Sequence, residues 1–349
     1  MKKQRASLPL RLLVFSFTLF FAGYALTGFF SRAEYLRSGD KAGLFAFLTG
    51  DELIPLAAET AAENASFIEE TETEEFLIFQ PEEGAIPYRV AALPEKPAAE
   101  SPPENSEPLK AITISSSMKP KNNPSLSFDA DALLGKDIRF DKEKNAILII
   151  HTHGSEAYSE YETVFWRKNR SANSEDPAES VVAVGRVLAD ALTRAGFRVI
   201  HDETMCDVPN YNKSYKNALK VIEKNMEDDK TIGMVLDIHR DSLSSSDGKR
   251  YKLLSGDGRS SQIMFVVGSN ALLSHDGWQD NLSFALHLQK EAMAKYDDFV
   301  RPISISKNRY NMHATPCSLI VEFGTEANTL AEAEDSARRL AGLIAEVIG

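Results

Sequence analysis

The amino-acid sequence predicts an α/β domain, a single mostly parallel sheet flanked by helices, behind an N-terminal transmembrane helix and a disordered acidic linker. Three observations carry that prediction. There is an uncharged apolar run near the N-terminus, an acidic Pro/Glu-rich stretch after it, and, from about residue 126, short apolar runs alternating with amphipathic stretches of helical period.

The apolar run is "LLVFSFTLFFAGYALTGFF", Leu12 to Phe30, about the length that spans a bilayer. Lys2, Lys3, Arg5 and Arg11 precede it, which keeps the short tail cytoplasmic and puts everything beyond Arg32 outside. "TGFFSRAEY" offers no small-residue cleavage site, so the segment reads as a retained anchor. The expected division is tail and anchor 1–31, linker 32–125 and catalytic-type domain 126–349. The net charge of -12 is concentrated in the linker. From Asp51 to Glu107 there are 15 acidic residues against Arg89 and Lys96, a balance of -13 that leaves about +1 for the rest. A stretch such as "PEKPAAESPPENSEP" cannot bury enough surface to offset its ordering entropy, and it reads as a tether. The nearly neutral remainder, without Lys/Arg blocks interleaved with aromatics, argues against nucleic acid as a partner. Cys206 and Cys317 are the only cysteines and form no C-x-x-C, so neither a disulfide framework nor a thiolate zinc site is indicated.

Within the domain, "AILII" is a buried strand. "SEDPAESVVAVGRVLADALTRAG" is a helix with Pro177 in its first turn, Val181, Val184, Leu188 and Leu192 along one face, and Gly196 as its stop. "FRVI", "IGMVLDIH", "SQIMFVVG", "RPISI" and "CSLIVEFG" are further strands. "YKNALKVIEKNM", "WQDNLSFALHLQKEAMAKY" and "TLAEAEDSARRLAGLIAEVI" are further helices. About 220 residues are ample for one core.

Ligands of open parallel sheets sit beyond the carboxyl ends of the strands. Three polar patches fall there: "HTHGSE", "DIHRDS" and the glutamate of "LIVEFGT". His153 and Glu156 are three residues apart, so a helical turn after the strand aims both at one point, and His239 can reach it from a neighbouring strand. Two histidines and a glutamate form a catalytic zinc set with one open position. The bland alternative, hydrogen-bonded strand-end histidines, stays open at this point, as does His151 as a substitute ligand. Glu322, on an otherwise apolar strand, has to be paired, protonated or functional. Arg240 offers a guanidinium for an anionic substrate group, unless it merely pairs with Asp241. Asn311 and His313, on the loop before the last strand, are candidates to orient substrate.

In order, "HTHGSEAY", "DIHRDS", "FVVGSN" followed by "WQDNLSFALHLQ", "NRYNMH" and "LIVEFGTEANTLAEA" resemble the stage II sporulation protein P family over roughly residues 145–349. The resemblance implies a membrane-anchored peptidoglycan hydrolase, an N-acetylmuramoyl-L-alanine amidase that also cleaves peptides, with a domain similar to the zinc-dependent cell-wall amidases. It further implies a single-pass protein of the sporulation septum on the mother-cell side, acting in engulfment with stage II sporulation proteins D and M. Carried over residue by residue, it makes His153 and His239 zinc ligands and Glu322 the catalytic carboxylate. Glu156 is taken as the third ligand. Cell-wall amidases usually draw that glutamate from the start of the following helix, where this chain offers Glu179. A zinc carboxypeptidase-like enzyme and a non-catalytic wall-binding scaffold are the rival classes.

Overall fold

A computed structural model describes residues 106–159, 172–245 and 249–349 together with three short strands, 77–78, 88–90 and 165–167. All belong to one unit, Ala65–Gly349. The expected anchor, 12–30, lies outside the described residues, among which no helix is long and apolar enough to cross a membrane.

In chain order the strands are β1 (Leu77–Ile78), β2 (Tyr88–Val90), β3 (Ser106–Pro108), β4 (Lys110–Ile114), β5 (Lys121–Asn122), β6 (Ala146–His151), β7 (Phe165–Arg167), β8 (Arg198–Met205), β9 (Ile232–Asp241), β10 (Leu243–Ser244), β11 (Tyr251–Leu253), β12 (Ile263–Gly268), β13 (Ser304–Ser306) and β14 (Cys317–Thr325). The helices are α1 (Ala130–Leu134), α2 (Val181–Arg194), α3 (Ser214–Asp228), α4 (Trp278–Lys295) and α5 (Leu330–Ile348). Seven strands form the main sheet in the order β5-β13-β12-β14-β9-β6-β8. All neighbours run parallel except β12 and β14. The mostly parallel sheet of the sequence reading is therefore present, with one reversal that apolar runs cannot encode, because a buried strand reads the same in either direction.

Strand alternation builds two apolar layers. Ile147, Ile149, Met234, Leu236, Ile238, Leu319, Val321 and Phe323 face α2, α4 and α5, and Leu148, Ile150 and Val235 face Ala218 and Ile222 of α3. Each fully buried aliphatic side chain contributes about 1.5–3 kcal/mol. Helix α2 starts later than its sequence suggests. Pro177 precedes it, and the Ser180 hydroxyl caps it by accepting from the Val182 amide. Gly196, at φ 87°, ends that helix. A capping box of Thr329 and Glu332 starts α5. Cys206 and Cys317 are both free, each buried in a different apolar layer.

The boundary at residue 126 needs correction. β4, counted above with the linker, is folded. Its Ala111, Ile112, Thr113 and Ile114 are buried, and it lies parallel to β11 and antiparallel to β2. The five-residue strand is too short to show periodicity against its polar surroundings, and its partner β11 lies far away in sequence. β1 likewise pairs with β10, and β3 with β7. The tether reading therefore fails for these stretches.

Candidate metal centre

β6 carries its apolar run straight into "HTHGSE". After His151 the chain turns, and the Glu156 amide donates to the His153 carbonyl (3.1 Å), the single turn expected to aim both side chains together. Gly154 makes room for that turn, since a Cβ there would stand 2.7 Å from the Met205 Cα. β9 lies beside β6 and brings His239 to the same place. β14 lies beside β9 with Glu322 directly opposite His239. Three strand ends thus deliver four of the expected residues to one side of the sheet.

Their spacing is close. His239 Nδ1 stands 3.6 Å from Glu156 Oε2, and its Nε2 stands 3.2 Å from Asp237 Oδ1. The His153 ring lies 5.3 Å from the His239 ring, stacks on Tyr211 at 4.5 Å and meets Tyr215 edge-on at 5.5 Å. Glu156 Oε2 also accepts from the Arg240 amide (2.9 Å). Asp237 accepts from the Thr152 amide (2.9 Å) and hydroxyl (2.6 Å).

These contacts displace the proton affinities. Burial opposes charge on His239, but the carboxylates of Asp237 and Glu156 reverse that and hold its pKa well above the ordinary histidine value. Burial would raise Asp237 and Glu156 too, yet facing His239 keeps both below the usual carboxylate range. Glu322 behaves differently. Burial pushes its carboxyl up to about 8, with Asp241 and Glu156 adding to the rise against the pull of His239 and Arg301. Its Oε2 is buried with no hydrogen-bond partner.

Among the described residues, no three His, Cys, Asp or Glu side chains already stand at metal-holding spacing. The donor set nonetheless fits zinc in kind, being two imidazoles and one carboxylate. It also fits in part by distance, since two ligand atoms each about 2.1 Å from a tetrahedral centre lie about 3.4 Å apart. The 3.6 Å between His239 Nδ1 and Glu156 Oε2 is close to that edge.

The structure does not bring every expected residue here. The Arg240 side chain is turned inward, giving its Nε to the Ala157 carbonyl (3.2 Å) and its Nη2 to the Ala172 carbonyl (2.8 Å) and Asn173 Oδ1 (3.3 Å), so it fastens the loop behind Glu156. A substrate-gripping role does not match that placement. Asn311 is buried, with its Nδ2 on the Tyr215 carbonyl (2.8 Å), and it supports an aromatic wall of the centre. His313 is exposed beside His275, on the turn ahead of β14, and Glu322 lies five strand residues, about 16 Å, beyond Cys317. Glu179 is exposed and accepts from the Ser174 hydroxyl (2.8 Å), so it is Glu156 that joins His239. His151 faces away and is committed to His201 (Nε2 to Nε2, 2.8 Å). The pair is packed under Gly185, where a Cβ would come within 2.6 Å of the His151 ring. Tyr211, Tyr215 and Asp237 escaped the sequence reading. The i, i+2 spacing of Asp237 and His239 on one strand was a usable signal, because such residues share a face.

The chain is similar to several known proteins. The CwlD amidase from Clostridioides difficile, solved in complex with the GerS lipoprotein, superposes at TM-score 0.39 with 16% identity, covering 58% of this chain and 96% of that one. The N-acetylmuramoyl-L-alanine amidase AmiC2 of Nostoc punctiforme gives 0.36 with 13% identity, over 59% and 95%. Stage II sporulation protein P of Bacillus subtilis is 25% identical over 227 residues, 59% of this chain, so the chain spans about half the length (51%) of that relative. The family model described as stage II sporulation protein P matches residues 56–345, most of the chain, and the protein therefore belongs to the stage II sporulation protein P family.

Proposed function

We propose that the protein is a zinc-dependent peptidoglycan hydrolase that cleaves the amide between N-acetylmuramic acid and the L-alanine of the stem peptide, and also peptide cross-links. Family membership supports the substrate, and the observation that carries the chemistry is the meeting of His153, Glu156 and His239 beside a carboxyl with a displaced pKa, Glu322. His153, Glu156 and His239 would hold the ion. When bound, zinc supplies Lewis acidity for the amide carbonyl and acidifies a water. Glu322 acts as base, taking the proton of the attacking water on a carboxylate oxygen and returning it to the departing amine nitrogen. A cation held by those residues would lower the proton affinity of Glu322. Tyr211 and Tyr215 wall the His153 side of the centre and shield it from water. In this reading residues 12–30 anchor the protein in the cell membrane on the mother-cell side of the sporulation septum. Its folded part acts on septal wall during engulfment, in company with stage II sporulation proteins D and M.

The test is digestion of purified peptidoglycan, with mass spectrometry of the products and zinc analysis of the protein. Free stem peptides, about one zinc per chain, and loss of both in His153→Ala and His239→Ala are expected. Release of single terminal amino acids would instead mean a carboxypeptidase, and full zinc occupancy in both variants would remove the proposed centre.

A further inference from the structure

The proposed ligand His239 has two ring nitrogens, and the structure treats them differently. Nε2 stands 3.2 Å from Asp237 Oδ1, an ion-pair contact without hydrogen-bond geometry, while Nδ1 stands 3.6 Å from Glu156 Oε2. Asp237 cannot easily swing away. Thr152, at the end of β6, binds both of its oxygens, the amide to Oδ1 (2.9 Å) and the hydroxyl to Oδ2 (2.6 Å). Thr152, Asp237 and His239 are all buried, at 0%, 5% and 4% exposure, so water does not replace any of these contacts. Strand geometry fixes the rest, since Asp237 and His239 are two apart on β9 and point to the same face.

We propose that Asp237, held by Thr152, is the positioning residue of the centre and makes Nδ1, not Nε2, the ligating atom of His239. This deepens the zinc reading and rests on it. An imidazole whose Nε2–H is held by a carboxylate presents its Nδ1 lone pair on the other side of the ring, where Glu156 stands, and outer carboxylates of this kind fix a ligand's tautomer and raise its basicity. Asp237 itself is not a ligand, because Thr152 engages both its oxygens and the ring lies between it and Glu156.

The experiment is nitrogen-15 NMR of the histidine-labelled full-length protein, metal-free and loaded with cadmium-113, with His239 assigned by its loss in His239→Ala. Chelator competition gives zinc affinity for the parent, Asp237→Ala, Asp237→Asn and Thr152→Val. The metal-free parent should show a slowly exchanging Nε2 proton that disappears in Asp237→Ala. Cadmium should couple to His239 Nδ1. Zinc affinity should fall about 10–100-fold in Asp237→Ala, less in Asp237→Asn and several-fold in Thr152→Val. Coupling to Nε2, an unprotected Nε2 proton, or a folded Asp237→Ala that binds zinc as tightly as the parent would each overturn the proposal. A protected Nε2 proton in a protein that binds neither metal would uphold the positioning by Asp237 and refute the zinc reading, which separates the two failures.

Discussion

Glu322 and Glu326 lie four residues apart at the end of β14, and the protein treats their charges in opposite ways. Glu326 is fully buried with the Arg250 guanidinium on one oxygen and the Ser242 hydroxyl on the same atom. Around it Asp241 pairs with Arg301 (2.7 Å), and Lys252, with no exposed surface, pairs with Glu332 (2.8 Å). Glu322 has no cation within ion-pair distance among the described residues, and its pKa is pushed up to about 8. Buried charges that meet a counter-ion fasten this fold, whereas Glu322, partly exposed and with no counter-ion among the described residues, keeps a displaced proton affinity.

The largest expected difference follows from replacing the uncompensated charge. Glu322→Gln should lose turnover by about a hundredfold or more, since an amide cannot accept the proton, while keeping zinc and an undiminished melting temperature. Muropeptide release set beside a thermal melt checks this, and an active Glu322→Gln variant would end the base assignment. The same carboxyl gives a pH signature in metal-free protein. Its folded pKa is raised from 4.5 to about 8, so its contribution to stability is full below about pH 4.5 and is lost as pH rises through 8. Parent and variant should therefore melt together near pH 5 and separate by pH 9, with the parent lower. A gap independent of pH would contradict the displaced proton affinity.

Breaking a compensated charge should do the reverse. Lys252→Met leaves Glu332 without its cation and should cost about 3 kcal/mol in a urea melt. That is the lower end of the range for a broken buried pair, because Glu332 keeps its bonds from the Thr329 amide and Asn328 Nδ2. Zinc content and turnover below the melting range should not change; an activity defect without lost stability would place this pair in the chemistry. The smallest effect belongs to Glu179→Gln, an exposed change expected within about 0.5 kcal/mol of the parent and with unaltered zinc content. Loss of zinc in this variant would transfer the third ligand from Glu156 to Glu179.

The parts of the molecule legible in sequence are those where one local pattern decides the outcome. Continuous apolar runs marked β6, β9 and β14 as buried, and the polar residues that end them had to emerge at one edge of a parallel sheet, so His153, Glu156, His239 and Glu322 could be grouped. What stayed hidden depends on distant partners. β12 runs backwards because of its pairing with β14, and β4 folds because β11 receives it. Arg240 read as a guanidinium for an anionic substrate group or a partner of Asp241, but the carbonyls of Ala157, after β6, and Ala172, after β7, take its donors. Tyr211 reaches His153 only through the packing of the segment leading into α3, which no periodicity records.

The position of β14 has a consequence for synthesis. Among the described strands it is the last to be made, yet it sits between β9 and β12, in the interior of the sheet. A nascent chain that has emerged only to residue 316 has no bonds joining those two strands, and each presents an open edge of the kind that invites aggregation. The nine residues from Cys317 to Thr325 close both edges at once, and Glu322 arrives with them. Closing the sheet and delivering the proposed base are thus one event, so an interrupted chain lacks both at once.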